Sequence, residues 1–113
     1  MFKVFFSKSA HKDLKKLTKK ATSSIQKQKD LSNLTLLIKK YADDGEIINT
    51  EKVNYEDDKF WSFKAYQIRA YFWISKNHNN TIIISNLVEK KKNKLSKEDR
   101  EKMKRVRSEI ESE

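Results

Sequence analysis

Residues 67–88 constrain this chain more than any other stretch, because their apolar pattern fits a sheet and not a helix. Ile68, Ala70, Phe72 and Ile74 alternate with Gln67, Arg69, Tyr71 and Trp73, and side chains two apart on a strand share a face. Arg69 therefore faces away from the aliphatic set. Asn77-His78-Asn79-Asn80 is a turn-forming cluster, and residues 81–88 are a β-branched run, so the segment reads as an antiparallel hairpin. The aromatic-rich residues 60–65 precede it and complete a three-stranded antiparallel run.

Upstream the periodicity is helical. Residues 2–6 are Phe and Val around one lysine, a short N-terminal strand by propensity, and Ser7 or Ser9 then offers a helix N-cap. Ala10, Leu14, Leu17, Ala21, Ile25 and Gln28 recur at spacings of three or four, placing them on one helical face with lysines opposite. Asp30 is read as the cap of a second helical stretch whose face is Leu31, Leu34, Leu37, Ile38 and Tyr41, ending before Asp43-Asp44-Gly45. The two make a helical hairpin. Residues 46–58 read as an acidic loop, with sheet beginning near Phe60. Ser96 caps a C-terminal helix with Glu98 and Asp99 in its first turn. Its thin apolar stripe of Met103, Val106 and Ile110 predicts weak packing. The order predicts an α+β domain with a mainly antiparallel sheet and one sheet face open for a site.

At 113 residues the chain has room for a single domain, 1–113. The absence of cysteine removes disulfides, thiolate nucleophiles and Cys-ligated zinc, and fits a reducing compartment, the cytoplasm by default. The apolar start is too short for a secretion signal, and no run approaches the roughly 18 apolar residues of a membrane span. The net charge of +10 is uneven: residues 1–40 carry +9, residues 41–88 carry −2 and residues 89–113 carry +3. Such a balance favours polyanions, since neutralising phosphates releases condensed counterions. An acidic protein partner or a plain solubilising surface satisfies the charge equally well.

Glycine-rich phosphate loops, HExxH, GxSxG and cysteine ligand sets are all missing. His11, on a basic helix, and His78, in a turn, show no sign of pairing and read as solvated. What remains is a basic and aromatic group on the sheet: Lys64, Arg69, Tyr71 and Trp73, followed by Lys90, Lys91 and Lys92. RNA self-cleavage uses the 2′-hydroxyl as nucleophile, so a protein assists by stabilising charge on the phosphorane and aligning the sugar, without a metal. Aromatic rings add stacking surfaces for unpaired bases. The alternatives are that Trp61 and Trp73 pack in the core, that Arg69 pairs with an acidic loop residue, and that the lysine run is a solvated turn.

These residues resemble the RelE/ParE toxin superfamily, in particular its phage-related HigB-like branch, over nearly the whole chain. Phe5-Phe6-Ser7-Lys8-Ser9-Ala10 is similar to the family's opening strand and lysine-rich helix. Phe60-Trp61-Ser62-Phe63-Lys64 stands where the family has a leucine-tryptophan-glutamate-leucine-arginine type strand, and Arg69 takes the place of the arginine on the strand after it. Residues 81–88 followed by Lys90-Lys91 resemble an aliphatic strand running into a paired-lysine motif. The resemblance implies a small RelE-like domain and a toxin of a type II toxin-antitoxin system. It implies a metal-independent endoribonuclease, without cofactor, that cleaves mRNA, in many members only on the ribosome, inhibits translation and is held by a cognate antitoxin. Lys64 and Arg69 would then stabilise the scissile phosphate, Lys90, Lys91 and Lys92 would hold the RNA backbone, and Tyr71 would stack on a base. The chain departs from the family at three points: Lys64 replaces an arginine and loses its bidentate geometry, Ser62 replaces an acidic residue, and the proline after the lysine pair is absent. Two other functions stay open, a ParE-like inhibitor of DNA gyrase and a non-catalytic nucleic-acid-binding protein on the same fold.

Overall fold

A computed structural model describes residues 2–45, 52–89 and 95–112. The chain is α+β, in the order β1 (Lys3–Phe6), α1 (Lys8–Ala21), α2 (Ile25–Asp44), β2 (Val53–Asp57), β3 (Phe60–Ala65), β4 (Ile68–Ile74), β5 (Thr81–Glu89) and α3 (Lys97–Glu111). The strands form one sheet ordered β1-β5-β4-β3-β2, with β1 parallel to β5 and the other neighbours antiparallel. The alternation of residues 67–88 takes the expected form. Ile68, Ala70 and Phe72 join Phe63, Ile82 and Ile84 against Ala10, Leu17, Leu34 and Ile38 of the helical hairpin. Tyr71 and Trp73 join Phe60 and Ile83 on the opposite face, against Leu95, Met103 and Val106.

Three expectations are corrected. The first helix does not run through Gln28: it stops at Ala21, and Ser24 caps α2 by accepting from the Lys27 N–H at 3.3 Å. Asp30 is therefore no cap but a buried residue inside α2, where it accepts a hydrogen bond from Gln26 Nε2 at 2.8 Å. The stretch before Phe60 is not all loop. β2 pairs with β3 from Val53 opposite Phe63 to Asp57 opposite Phe60, and only Val53 of its side chains is buried, as befits an edge strand. Finally, α3 docks more firmly than its thin stripe suggests. Met103 is fully buried, the Arg107 guanidinium stands 4.1 Å from the Phe60 ring centre, and Glu111 Oε1 accepts from Trp73 Nε1 at 2.8 Å and Ser75 Oγ at 2.6 Å.

The outer end of β5 illustrates how backbone groups are satisfied where a neighbouring strand ends. β1 pairs only with residues 81–84 of β5, and a register shift follows at Ser85. Beyond it α1 takes over: Ser7 Oγ donates to the Ser85 carbonyl at 2.6 Å, and the Leu87 N–H donates to Asp13 Oδ2 at 3.0 Å. Ser7 does double duty, because the same hydroxyl caps α1 through the Ala10 N–H at 3.0 Å. Among the described residues no helix is long and apolar enough to cross a membrane.

Candidate nucleic-acid interface

The two proposed phosphate-contacting residues, 5 apart in sequence, are direct cross-strand partners: Lys64 of β3 pairs with Arg69 of β4. Residues opposite one another in an antiparallel ladder share a face, so the two cations stand side by side at the end of the β3–β4 hairpin. Arg69 is only 5% exposed, and its Nη1 donates to the Tyr66 carbonyl at 2.5 Å. That bond fixes the plane of the guanidinium over the turn. Lys64 is half-buried, and its backbone N–H donates to the Lys52 carbonyl at 2.8 Å, which ties the start of β2 to the same corner.

These residues line a groove of 590 Å³ with Asn33, Leu36, Leu37 and Lys40 of α2, Lys52, Ala65 and Tyr66. Four cations meet there, and among the described residues the wall contains no carboxylate. Lys40, Lys52 and Lys64 make no ion pair among the described residues. A cation without a local counter-charge attracts a mobile anion, and several facing one channel attract a polyanion. At the mouth sits Tyr66, 70% exposed, with a φ of 56°. A bulky side chain in left-handed backbone is an outlier that costs energy, and such strain concentrates where a side chain must point in a particular direction. The ring is a ready stacking surface beside four positive charges.

Tyr71, Trp73 and the lysine run fare differently. Tyr71 is 2% exposed beneath α3, packed with Phe60 and Met103, so its ring is not presented to a base while that helix is in place. Trp73 is likewise buried, and its indole N–H is held by Glu111. Lys90, Lys91 and Lys92 lie outside the described residues. β5 itself ends with Val88 opposite Arg69 and Glu89 opposite Ile68, at the corner that holds the groove. His11 and His78 are both exposed.

Sequence reasoning missed Lys40, Lys52, Asn33 and Tyr66. Nothing in the local pattern of α2 marks Lys40, which is one of many lysines on polar helix faces, and Lys52 lay in the stretch read as loop. The signal for Tyr66 was present in principle: the two-residue link between paired Ala65 and Ile68 demands a tight turn. Among the described residues no cluster of three His, Asp or Glu side chains is arranged to hold a metal ion. No protein-family profile and no curated protein matches the chain.

Proposed function

We propose that this chain is an RNA-cutting toxin that acts without a metal, with its site in the groove between α2 and the β3–β4 turn. The observation that carries this reading is the direct pairing of Lys64 with Arg69 inside a groove that gathers four cations and, among the described residues, no carboxylate. Attack by a 2′-hydroxyl on the adjacent phosphate raises the negative charge on the phosphorane oxygens, and preorganised cations stabilise that charge more in the transition state than in the ground state. Lys64 supplies the more accessible ammonium. Arg69, anchored through the Tyr66 carbonyl, supplies a fixed guanidinium at the groove wall and needs little reorganisation as charge develops. Lys40 and Lys52 neutralise flanking phosphates, and Tyr66 takes over the base-stacking role that the resemblance gave to Tyr71.

The same reading implies a cognate antitoxin that covers the basic corner or displaces α3, and mRNA as the substrate, free or on the ribosome. Its test is to induce the wild-type chain and Arg69→Ala in a bacterium that lacks the antitoxin, following growth and mapping mRNA 5′ ends. The expected outcome is growth arrest with new cleavage sites, both lost in Arg69→Ala while its thermal melt shows a folded domain. Arrest with uncut mRNA and damaged DNA would replace this reading with gyrase inhibition, and harmless expression would replace it with a binding protein.

A further inference from the structure

A second cationic cluster sits at the opposite end of the β3–β4 ladder. The two-residue turn joining β2 to β3, Asp58-Lys59, has both residues in left-handed backbone, with φ of 50° and 66°. This turn brings Lys59 into one pocket with Lys76, which follows β4. Lys104 and Arg107 of α3 line the same pocket of 430 Å³, with Trp73, Asn77, Asp58 and Glu111.

Both carboxylates are hydrogen-bonded within the pocket and Asp58 also lies in the field of Lys59 and Lys104, which leaves four cations against two carboxylates among the described residues of the wall. Asp58 Oδ2 takes Arg107 Nη2 at 2.7 Å. Glu111 accepts from Trp73 and Ser75 through Oε1 and from the Asn77 N–H through Oε2 at 3.3 Å. Lys59, Lys76 and Lys104 make no ion pair among the described residues. The proximity of Lys59 holds the Lys76 ammonium below the ordinary lysine range, with Arg107 adding to the effect and Glu111 opposing it. Like charges brought together by a turn call for an anion between them. A carboxylate would neutralise only one of the pair, whereas a phosphate monoester carries close to two charges at neutral pH and offers several acceptor oxygens.

We infer that Lys59, Lys76 and Lys104 form a phosphate-binding site, separate from the Lys64–Arg69 groove and independent of the RNA-cutting reading. Its ligand is a terminal phosphate or diphosphate, free or at the end of a nucleic acid, seated between the β2–β3 turn, the segment after β4 and the face of α3.

Trp73 gives the test a built-in reporter, because its indole N–H is bonded to the pocket's own Glu111. Pyrophosphate is titrated into the full-length protein at constant ionic strength while the Trp73 indole ¹H–¹⁵N signal is followed, assigned with Trp61→Phe. The expected result is a saturable shift, weakened about tenfold in Lys59→Gln/Lys76→Gln by the loss of two charge-assisted contacts and unchanged in Lys40→Gln. Single-stranded oligonucleotides with a 5′-phosphate or a 5′-hydroxyl then separate the sources. Preference for the 5′-phosphate identifies a nucleic-acid end, and response to pyrophosphate without that preference identifies a free phosphate compound. Absence of a saturable shift, or an equal shift in the double variant, overturns the site. Because the exposed lysines support no packing, the thermal melt of the double variant is expected to match the wild type. Lys104→Gln provides a second, independent loss of affinity.

Discussion

The two faces of the sheet are built on different terms. Against the helical hairpin, the sheet presents an unbroken apolar layer in which Phe63 and Phe72 stack with ring centres 4.1 Å apart and Tyr41 meets both edge-on. Against α3, apolar residues occupy only part of the face. Phe60, Tyr71, Trp73 and Ile83 alternate with or adjoin Ser62, Arg69 and Asn86, all of them buried, and the Asn86 amide has no hydrogen-bond partner among the described residues. Buried polar groups cost stability unless fully paired. The hairpin face is therefore the cohesive side of the sheet, and the α3 face is the side that buries polar groups, Arg69 of the groove among them.

Large-to-small substitutions on each side offer the strongest test. Phe72→Ala is expected to cost about 3–5 kcal/mol, enough to unfold a marginal domain. Met103→Ala is expected to cost about 2 kcal/mol, the low end of such changes, because α3 can lift away without dismantling the sheet. Urea melts with amide exchange separate the two: Met103→Ala should lose protection in residues 97–111 first and leave β4 protected. Equal, global loss of protection in both variants would show that the faces form one cooperative unit and break the comparison.

A substitution at the groove mouth sharpens it. Tyr66→Gly removes the left-handed strain and is expected to raise stability by about 1 kcal/mol, while weakening the binding of a single-stranded RNA oligonucleotide. A residue that stabilises the protein when removed and binds ligand when present is retained for function. Unchanged RNA affinity would leave the strain at Tyr66 without a purpose.

How far the sequence foretold this division depends on where the signal is local. The hairpin of residues 67–88 was legible because a buried strand writes alternation directly into the chain, and the side on which Arg69 falls followed from the same parity. β2 was not, because an edge strand that buries only Val53 and carries Glu56 and Asp57 looks like loop. The break at residues 22–24 escaped notice for want of a glycine or proline to mark it. The Lys64–Arg69 pair was half legible: both residues were named from the sheet and the resemblance, but their pairing requires the ladder register. The convergence of Lys40 and Lys52 on them requires the tertiary fold. Tyr71 shows the opposite limit, since alternation gave its face correctly and could not reveal that α3 covers it.

The smallest expected effect concerns what fastens α3. Burial alone would push the Glu111 carboxyl up, but hydrogen bonds from Ser75, Trp73 and the Asn77 backbone outweigh it and hold the group below its usual range. Asp58 is held down as well, chiefly by its hydrogen bond from Arg107. A carboxyl with a depressed folded pKa contributes stability that is fully present above its unfolded value and is lost as pH falls through the folded one. Both groups tie α3 to the sheet, so acidification below the ordinary carboxylate range should loosen α3 before the hairpin face responds. Glu111→Gln should cost about 0.5 kcal/mol near neutrality, since the contact is partly solvated, and should flatten the acid limb of the stability curve. If α3 and β4 instead lose amide protection at the same pH, in wild type and variant alike, the carboxylates are not what holds the helix, and its docking rests on Met103, Val106 and the Arg107–Phe60 contact.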